Sequence, residues 1–190
     1  MSKKTNNKNH LKIIGGKWKG QKVTFRNVPD LRPTLSRTRE TLFNWLRPFV
    51  ANSACLDLFA GSGSLGFEAM SQGASLLTFV ESDRSTVLHL KNQVALFDSS
   101  IVTLHRDAVK FLKQTNETFD IAFLDPPYAQ PDLIDDALTV ITQKRLISQF
   151  LYIEALSLNH LQNLEKKSPF KLIKSSKNGL GQCALFKATL

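Results

Sequence analysis

The sequence predicts an α/β fold: an open, mostly parallel sheet with helices on both faces and a β-hairpin arm at the N-terminus. Three observations carry the prediction. Short apolar runs alternate with helix-length amphipathic segments along most of the chain, which is the pattern of strand–helix–strand units. One run, residues 54–60, turns through Gly61-Ser62-Gly63 into a helix-forming segment. Several runs end in an acid, at Asp57, Glu81 and Asp125, with Asp107 just beyond another. Open sheets of this class bind ligands beyond the carboxyl ends of their strands.

Taken in order, residues 1–10 form a polar, basic tail and are expected to be disordered. Residues 11–18 and 21–25 read as two strands turning at Lys19-Gly20. A turn at Leu31-Arg32-Pro33-Thr34 leads to a helix over about 35–47. Its apolar stripe is Leu42, Phe43 and Leu46, and Pro48 stops it. After the glycine turn, 64–72 is a helix ended by Gly73. Residues 76–81 form a second apolar strand. The helix over 84–97 offers Val87, Leu88, Leu90, Val94 and Leu96 to the core. A third parallel strand covers 101–104, and Asp107 opens a helix over 108–113. Residues 119–124 form a fourth strand, which runs into Asp125-Pro126-Pro127-Tyr128. A helix from 131 to about 146, a fifth strand over 150–156 and a helix or loop over 157–167 follow. Residues 170–175 and 182–188 close as an antiparallel pair around Asn178-Gly179.

A chain of 190 residues fits one domain with a sizeable core. No run of about 18 apolar residues predicts a membrane span, and the polar, basic start is no secretory signal. Cys55 and Cys183 stand alone in apolar surroundings, which points to buried thiols in a reducing cytoplasm. No metal-ligand spacing is present, so no metal is expected. The charge is uneven. Residues 1–48 carry 12 Lys and Arg against 2 Asp and Glu, a net of +10; residues 49–190 carry 13 against 14, a net of −1. A partner of negative charge is therefore expected at the N-terminal quarter. Lys12, Lys17, Lys19, Lys22, Arg26, Arg32, Arg37 and Arg39 are the candidate contacts. Trp18 and Phe25, set among them, suit base stacking; packing against the domain is the open alternative. Arg37 can equally pair with Glu40 along its helix.

Gly61-x-Gly63-x-x-Gly66 matches the spacing of dinucleotide-binding turns. Glycines that merely pack a strand against a helix are the alternative. Asp57, four residues before Gly61, repels a pyrophosphate but suits a cation. S-adenosylmethionine carries an ammonium and a sulfonium and no phosphate. Glu81 lies 20 residues past Gly61, where an acid accepts hydrogen bonds from ribose hydroxyls. Asp107 reads as a helix cap, a contact to the adenine amino group, or both.

The segment Asp125 to Tyr128 suits methyl transfer to the exocyclic amine of a nucleobase. The lone pair of that amine is delocalised into the ring. A carboxylate at Asp125 and the Pro126 carbonyl can accept both N–H groups and leave the lone pair aimed at the methyl. Proline fixes the turn, and Tyr128 can stack on the base. A rigid turn at the end of a strand is the bland alternative.

Asp57-Leu-Phe-Ala-Gly-Ser-Gly with Asp125-Pro-Pro-Tyr resembles the class I S-adenosylmethionine-dependent methyltransferases that act on amino groups. Ile14-Gly-Gly-Lys-Trp-Lys-Gly, Arg32-Pro-Thr and the stretch from Arg37 to Leu46 further resemble the bacterial RsmD family, over roughly residues 11–188. The resemblance implies a Rossmann-like seven-stranded methyltransferase sheet and methylation of N2 of one guanine in 16S ribosomal RNA. It implies cofactor contacts at Asp57, Gly61, Gly63, Glu81, Asp107 and Ala108, and target contacts at Asp125, Pro126, Pro127 and Tyr128. It also implies an RNA-binding hairpin and helix over 11–48 packed on a methyltransferase domain over 49–190, a small ribosomal subunit or its assembly intermediate as the partner, and a cytoplasmic monomer. The basic residues of the arm are expected to form a wall beside Tyr128. Three other readings compete: a DNA adenine-N6 methyltransferase, against which the lack of a large recognition domain argues; an NAD-linked oxidoreductase; and a non-catalytic RNA-binding module, which needs neither Asp125 nor the cofactor acids.

Overall fold

The computed structural model describes residues 9–25, 36–127, 129–178 and 181–189. The N-terminal part holds strand β1 (Asn9–Lys12), a 3-10 turn (Gly16–Trp18), strand β2 (Lys22–Phe25) and helix α1 (Ser36–Leu46). The sheet is then built by β3 (Ala54–Asp57), α2 (Ser64–Ser71), β4 (Leu76–Glu81), α3 (Arg84–Phe97), β5 (Val102–His105), α4 (Ala108–Gln114) and β6 (Phe119–Leu124). It is completed by α5 (Asp132–Lys144), β7 (Ile147–Ala155), α6 (Leu158–Lys166), β8 (Phe170–Asn178) and β9 (Gly181–Ala188).

Seven strands form one sheet in the order β5-β4-β3-β6-β7-β9-β8. The first five are parallel, and β9 inserts antiparallel between β7 and β8. The order runs outward from β3 to β5 and then restarts at β6, so the switch point lies between β3 and β6. Side chains alternate between two faces, as strand pleating requires. Cys55, Phe79, Ile121, Phe123, Tyr152 and Leu185 pack with α1, α2, α3 and the arm. Leu56, Val80, Ala122, Leu124, Ile153 and Phe186 pack with α4, α5 and α6. The result is a three-layer α/β/α arrangement. Among the described residues no helix is long and apolar enough to cross a membrane.

Several sequence expectations are corrected. The first hairpin strand stops at Lys12 because the chain bends at Gly15-Gly16. Gly16 has a φ of 74°, and a Cβ there would lie 1.7 Å from the Ser71 carbonyl oxygen. Leu88 and Leu96 face solvent, at 64% and 77% exposure; α3 buries the stripe at Val87, Leu90 and Val94, with Thr86 and Gln93 beside it. The helix-or-loop region is helix α6, capped by Ser157 accepting from the His160 amide. Trp18 and Phe25 are buried in the core, with the Trp18 ring 5.0 Å from that of Phe97, so neither is available for stacking.

The arm is fastened by a buried carboxylate. Glu68, fully buried on α2, accepts from the amides of Ile14 at 2.9 Å and Gly15 at 2.8 Å and from Gln72 Nε2 at 2.8 Å. Arg39 Nη1 stands 3.8 Å from Glu68 Oε2, and Arg39 Nη2 donates to the Lys12 carbonyl at 3.1 Å. Ser71 adds two bonds, accepting from the Trp18 amide and donating to the Gly15 carbonyl. Arg39 is therefore no RNA contact. At 1% exposure, its guanidinium ties α1 and β1 to α2. Removing one partner of a buried pair strands the other charge and costs about 3–5 kcal/mol. Arg37, two residues away, is exposed. Urea unfolding should show Arg39→Ala destabilised by about 3–5 kcal/mol and Arg37→Ala within about 0.5 kcal/mol of the parent.

Candidate active site

The parallel strands deliver acids to one edge. Asp57 ends β3 and Glu81 ends β4. Asp107 lies two residues past β5, and Asp125 one past β6. Asp57 is buried, and its Oδ2 accepts from the Gly66 amide at 3.0 Å. Gly66 is in the first turn of α2, where amides lack intrahelical partners. The N-cap of that helix is Gly63, which has no side chain to offer and adopts a φ of 75°. Asp57 thus caps α2 from the neighbouring strand. Burial pushes its carboxyl well above the usual carboxylate range, and the charges of Asp125 and Glu81 push further in the same direction.

Glu81 braces the turn. Its Oε2 accepts from the Gly61 amide at 2.9 Å and its Oε1 from the Asp83 amide at 2.8 Å. Oε1 also accepts from the Ser82 hydroxyl at 3.4 Å, whereas Oε2 retains a lone pair that suits a ribose hydroxyl. Gly61 has a φ of 48°, in the left-handed region that glycine enters without strain. At Gly63 and Gly66 a Cβ would meet Phe67 at 2.7 Å and Phe79 at 2.4 Å, so those two glycines have packing reasons of their own. Asp107 is exposed and caps α4, accepting from the Lys110 amide at 2.8 Å. Ala108 is buried beside it.

Asp125 is half-buried, Pro126 buried and Pro127 exposed; Tyr128 lies outside the described residues, as do Arg26 and Arg32. Beyond Asp125, on the side away from Asp57, a hollow opens between the ends of β6 and β7. Pro126, Pro127, Ile134 and Leu156 give it apolar walls, and the chain at Glu154 and Ala155 and the residue His160 complete its lining. Sequence reasoning did not single out Glu154, which is buried next to the end of β7, where its Oε1 accepts from the Tyr152 hydroxyl at 2.7 Å.

The donor set fits a cationic nucleoside cofactor. Three mutually repelling carboxylates, one of them buried, form a cleft whose strain a positive charge relieves. Among the described residues no group of His, Cys, Asp and Glu is placed to hold a metal ion.

The basic arm is not where the sequence suggested. Lys17 and Lys19 are at the hairpin tip, which packs on Ser71 and Phe97 at the C-terminal ends of α2 and α3. That is the sheet edge opposite the acids, so these two lysines form no wall beside Asp125. Lys17 faces Asp98 at 3.6 Å and lies 4.5 Å above the Trp18 ring. Lys12, Lys19, Lys22 and Arg37 are exposed.

Comparison with known proteins follows the same lines. A family model described as conserved hypothetical protein 95 matches residues 11–187. The protein named ribosomal RNA small subunit methyltransferase D of Buchnera aphidicola (strain APS) is 43% identical over 146 residues, which cover 75% of this chain and 76% of that protein. Its namesake in Escherichia coli K12 is 38% identical over 148 residues, covering 76% and 74%. The solved structure of the Escherichia coli yhhF protein superposes with a TM-score of 0.81 at 32% identity, over 95% of this chain and 98% of that one.

Asp57→Asn separates the two roles of the residue. The amide can still accept from Gly66, but it has no charge. The unfolded chain ionises Asp57 at the ordinary value of 3.8, whereas the folded carboxyl resists until well above it. Between those two values the parent loses stability as pH rises, and the variant does not. The ligand-free variant should therefore melt higher than the parent at pH 7, with the gain vanishing as pH falls towards 3.8. Calorimetry should show its affinity for S-adenosylmethionine lost.

Proposed function

The chain belongs to the conserved hypothetical protein 95 family, that of the RsmD-like methyltransferases, and from that premise we propose that it transfers a methyl group from S-adenosylmethionine to the exocyclic N2 amine of one guanine in 16S ribosomal RNA. Its sheet is the Rossmann-like, seven-stranded sheet of class I methyltransferases. The observation that carries the reading is the adjacency of Asp57 and Asp125 at the switch point, with the glycine turn on one side and the hollow on the other. Residues 49–190 act as the methyltransferase domain and 11–48 as the arm that engages RNA. The substrate is RNA in a small ribosomal subunit or its assembly intermediate, and the work is cytoplasmic.

Asp57, Gly61, Gly63, Glu81, Asp107 and Ala108 hold the cofactor. Asp57 offsets its positive charge, Glu81 accepts from the ribose diol, and the edge formed by Asp107 and Ala108 meets the adenine. When bound, the cofactor supplies an electrophilic methyl on sulfonium. Asp125 and the Pro126 carbonyl accept the two N2 hydrogens, which turns the lone pair towards that methyl. Tyr128 and Pro127 flank the base. The methylated amine would be acidic, and Asp125 would take its proton. Most of the acceleration is positioning. A duplexed guanine cannot reach this edge, so the base must be extruded or unpaired.

A hydrogen bond to a charged acceptor contributes about 1.5–3 kcal/mol. Asp125→Ala should fold, bind S-adenosylmethionine normally and transfer methyl at least about tenfold more slowly. Tritium transfer into small subunits from cells lacking the protein, followed by nucleoside analysis, tests both the residue and the product. Near-parental turnover would remove Asp125 from this role.

The exposed lysines Lys12 and Lys22 alternate with buried Leu11, Ile13 and Val23, so they share the outer face of the arm. RNA on that face would run from the acidic edge down towards Lys19. Each phosphate contact contributes about −0.7 to the log–log salt slope on single strands. Changing Lys12, Lys19 and Lys22 together to Ala should weaken RNA binding and flatten that slope by roughly two units, with cofactor affinity unchanged. An unaltered slope would put the RNA on another face.

A further inference from the structure

We propose that the open face of strands β8 and β9 is a second RNA-binding surface, on which Lys171, Lys174 and Lys187 hold phosphates and Phe49 stacks on an unpaired base. The proposal rests on the RNA reading above and adds a surface that the arm does not supply.

The overall charge conceals this surface. Residues 166–190 carry six Lys and no Asp or Glu, a net of +6, whereas residues 49–165 carry seven Lys and Arg against 14 Asp and Glu, a net of −7. The near-neutral balance of residues 49–190 is therefore a cancellation between an acidic stretch and a basic one.

β8 forms the outer edge of the sheet. Its Phe170 and Leu172 join Phe186 in the core on the α6 side. Lys171 stands on the opposite face, directly across from Lys187 of β9. The register slips between Leu172 and Lys174, and the extra residue of such a bulge re-aims the side chains that follow. Lys174 consequently pairs with Leu185, whose side chain packs on the α1 side, and so joins Lys171 and Lys187 there. All three lysines are exposed, and among the described residues none of them is in an ion pair. Like charges directly opposite each other destabilise a strand pair, and a bound phosphate removes that cost. Lysines on a last strand commonly guard the sheet edge. Lys187, however, is on β9, which is paired on both sides, and guards no edge.

Phe49 adds an aromatic ring. Lys187 pairs with Phe150, and the Phe49 ring lies 4.5 Å from the Phe150 ring while remaining 43% exposed. Lysines beside an exposed aromatic suit phosphate contact and base stacking on unpaired RNA. The surface is also continuous with the arm. Helix α1 packs on β9 and is tied to Lys12 through Arg39, and Arg37 and Arg47 are exposed between the two. Lys187 lies two strands across and four residues down from Asp125. By strand spacing that is roughly 16 Å, within reach of the nucleotides that flank a base held at Asp125.

Small subunits from cells lacking the protein are the probe for the test. Changing Lys171, Lys174 and Lys187 together to Ala should flatten the log–log salt slope of binding by roughly two units. Changing the same three to Glu keeps charges on the strands, so any edge-guarding role survives, but repels phosphate. The KM for subunits should then rise about tenfold or more, with kcat and S-adenosylmethionine affinity as in the parent. Phe49→Leu keeps an apolar contact for Phe150 and loses the stacking face, and should weaken binding about fivefold. Parental binding by either the Glu variant or Phe49→Leu overturns the proposal. So does a Glu variant that loses binding only to vesicles of anionic lipid. The Ala variant, with its parental slope as the contrary result, decides the matter if the Glu variant fails to fold. A parent whose binding to subunits ignores salt defeats the RNA reading itself, which is a different outcome from these.

Discussion

The active edge depends on one adjacency: β3 and β6 run parallel and side by side where the strand order reverses. Each strand ends in an acid, so the fold brings the Asp57 and Asp125 carboxylates into one cleft. Like charges in a desolvated place oppose each other's ionisation. Asp57 shows the effect, held well above the carboxylate range by burial first and then by Asp125 and Glu81. A cation entering the cleft relieves that opposition, and an anion worsens it. The same glycine turn that would cradle a pyrophosphate elsewhere is tuned here for positive charge. The two acids also differ in surroundings: Asp57 is buried and caps α2, while Asp125 is half-buried beside it.

The arm depends on a second buried charge. Glu68 gathers two backbone amides, a side-chain amide and a guanidinium from three parts of the chain. Those contacts convert the hairpin from an appendage into a wall of the core. They also explain why the arm's apolar residues face inward and its lysines outward. The position of the arm is set by a helix whose other end carries the glycine turn, so the outer face of the arm and the acidic edge share one rigid reference.

Much of this was legible in the sequence, and the exceptions are physical. The parallel strands and α3 followed from alternation and periodicity, because each depends on neighbours a few residues away. Leu88 and Leu96 did not follow: they lie on α3 but off the narrow stripe that the sheet accepts. Arg37 and Arg39 look alike in the sequence, and only Glu68, 29 residues from Arg39, separates them. Lys17 and Lys19 are not at the acidic edge, because the hairpin points its tip the other way. The place of Asp125 just past β6 was legible because a proline pair marks the end of that strand in the chain itself.

The arm's wiring has a consequence for the time order of synthesis. Its amides wait for acceptors 53 to 69 residues further along, on α2 and α3. At about 5–20 residues per second, Phe25 leaves the synthetic machinery roughly 4–15 seconds before Phe97 is available. During that interval Leu11, Ile13, Trp18, Val23 and Phe25 have no core to enter, and the arm is a short, sticky strand pair with open edges. Lys12, Lys17, Lys19 and Lys22 are interleaved with those residues, the arrangement of charges that keeps exposed apolar strands from pairing with other chains. The basic arm therefore protects the nascent chain before it can touch any substrate, and a variant stripped of those lysines would suffer first in yield during expression.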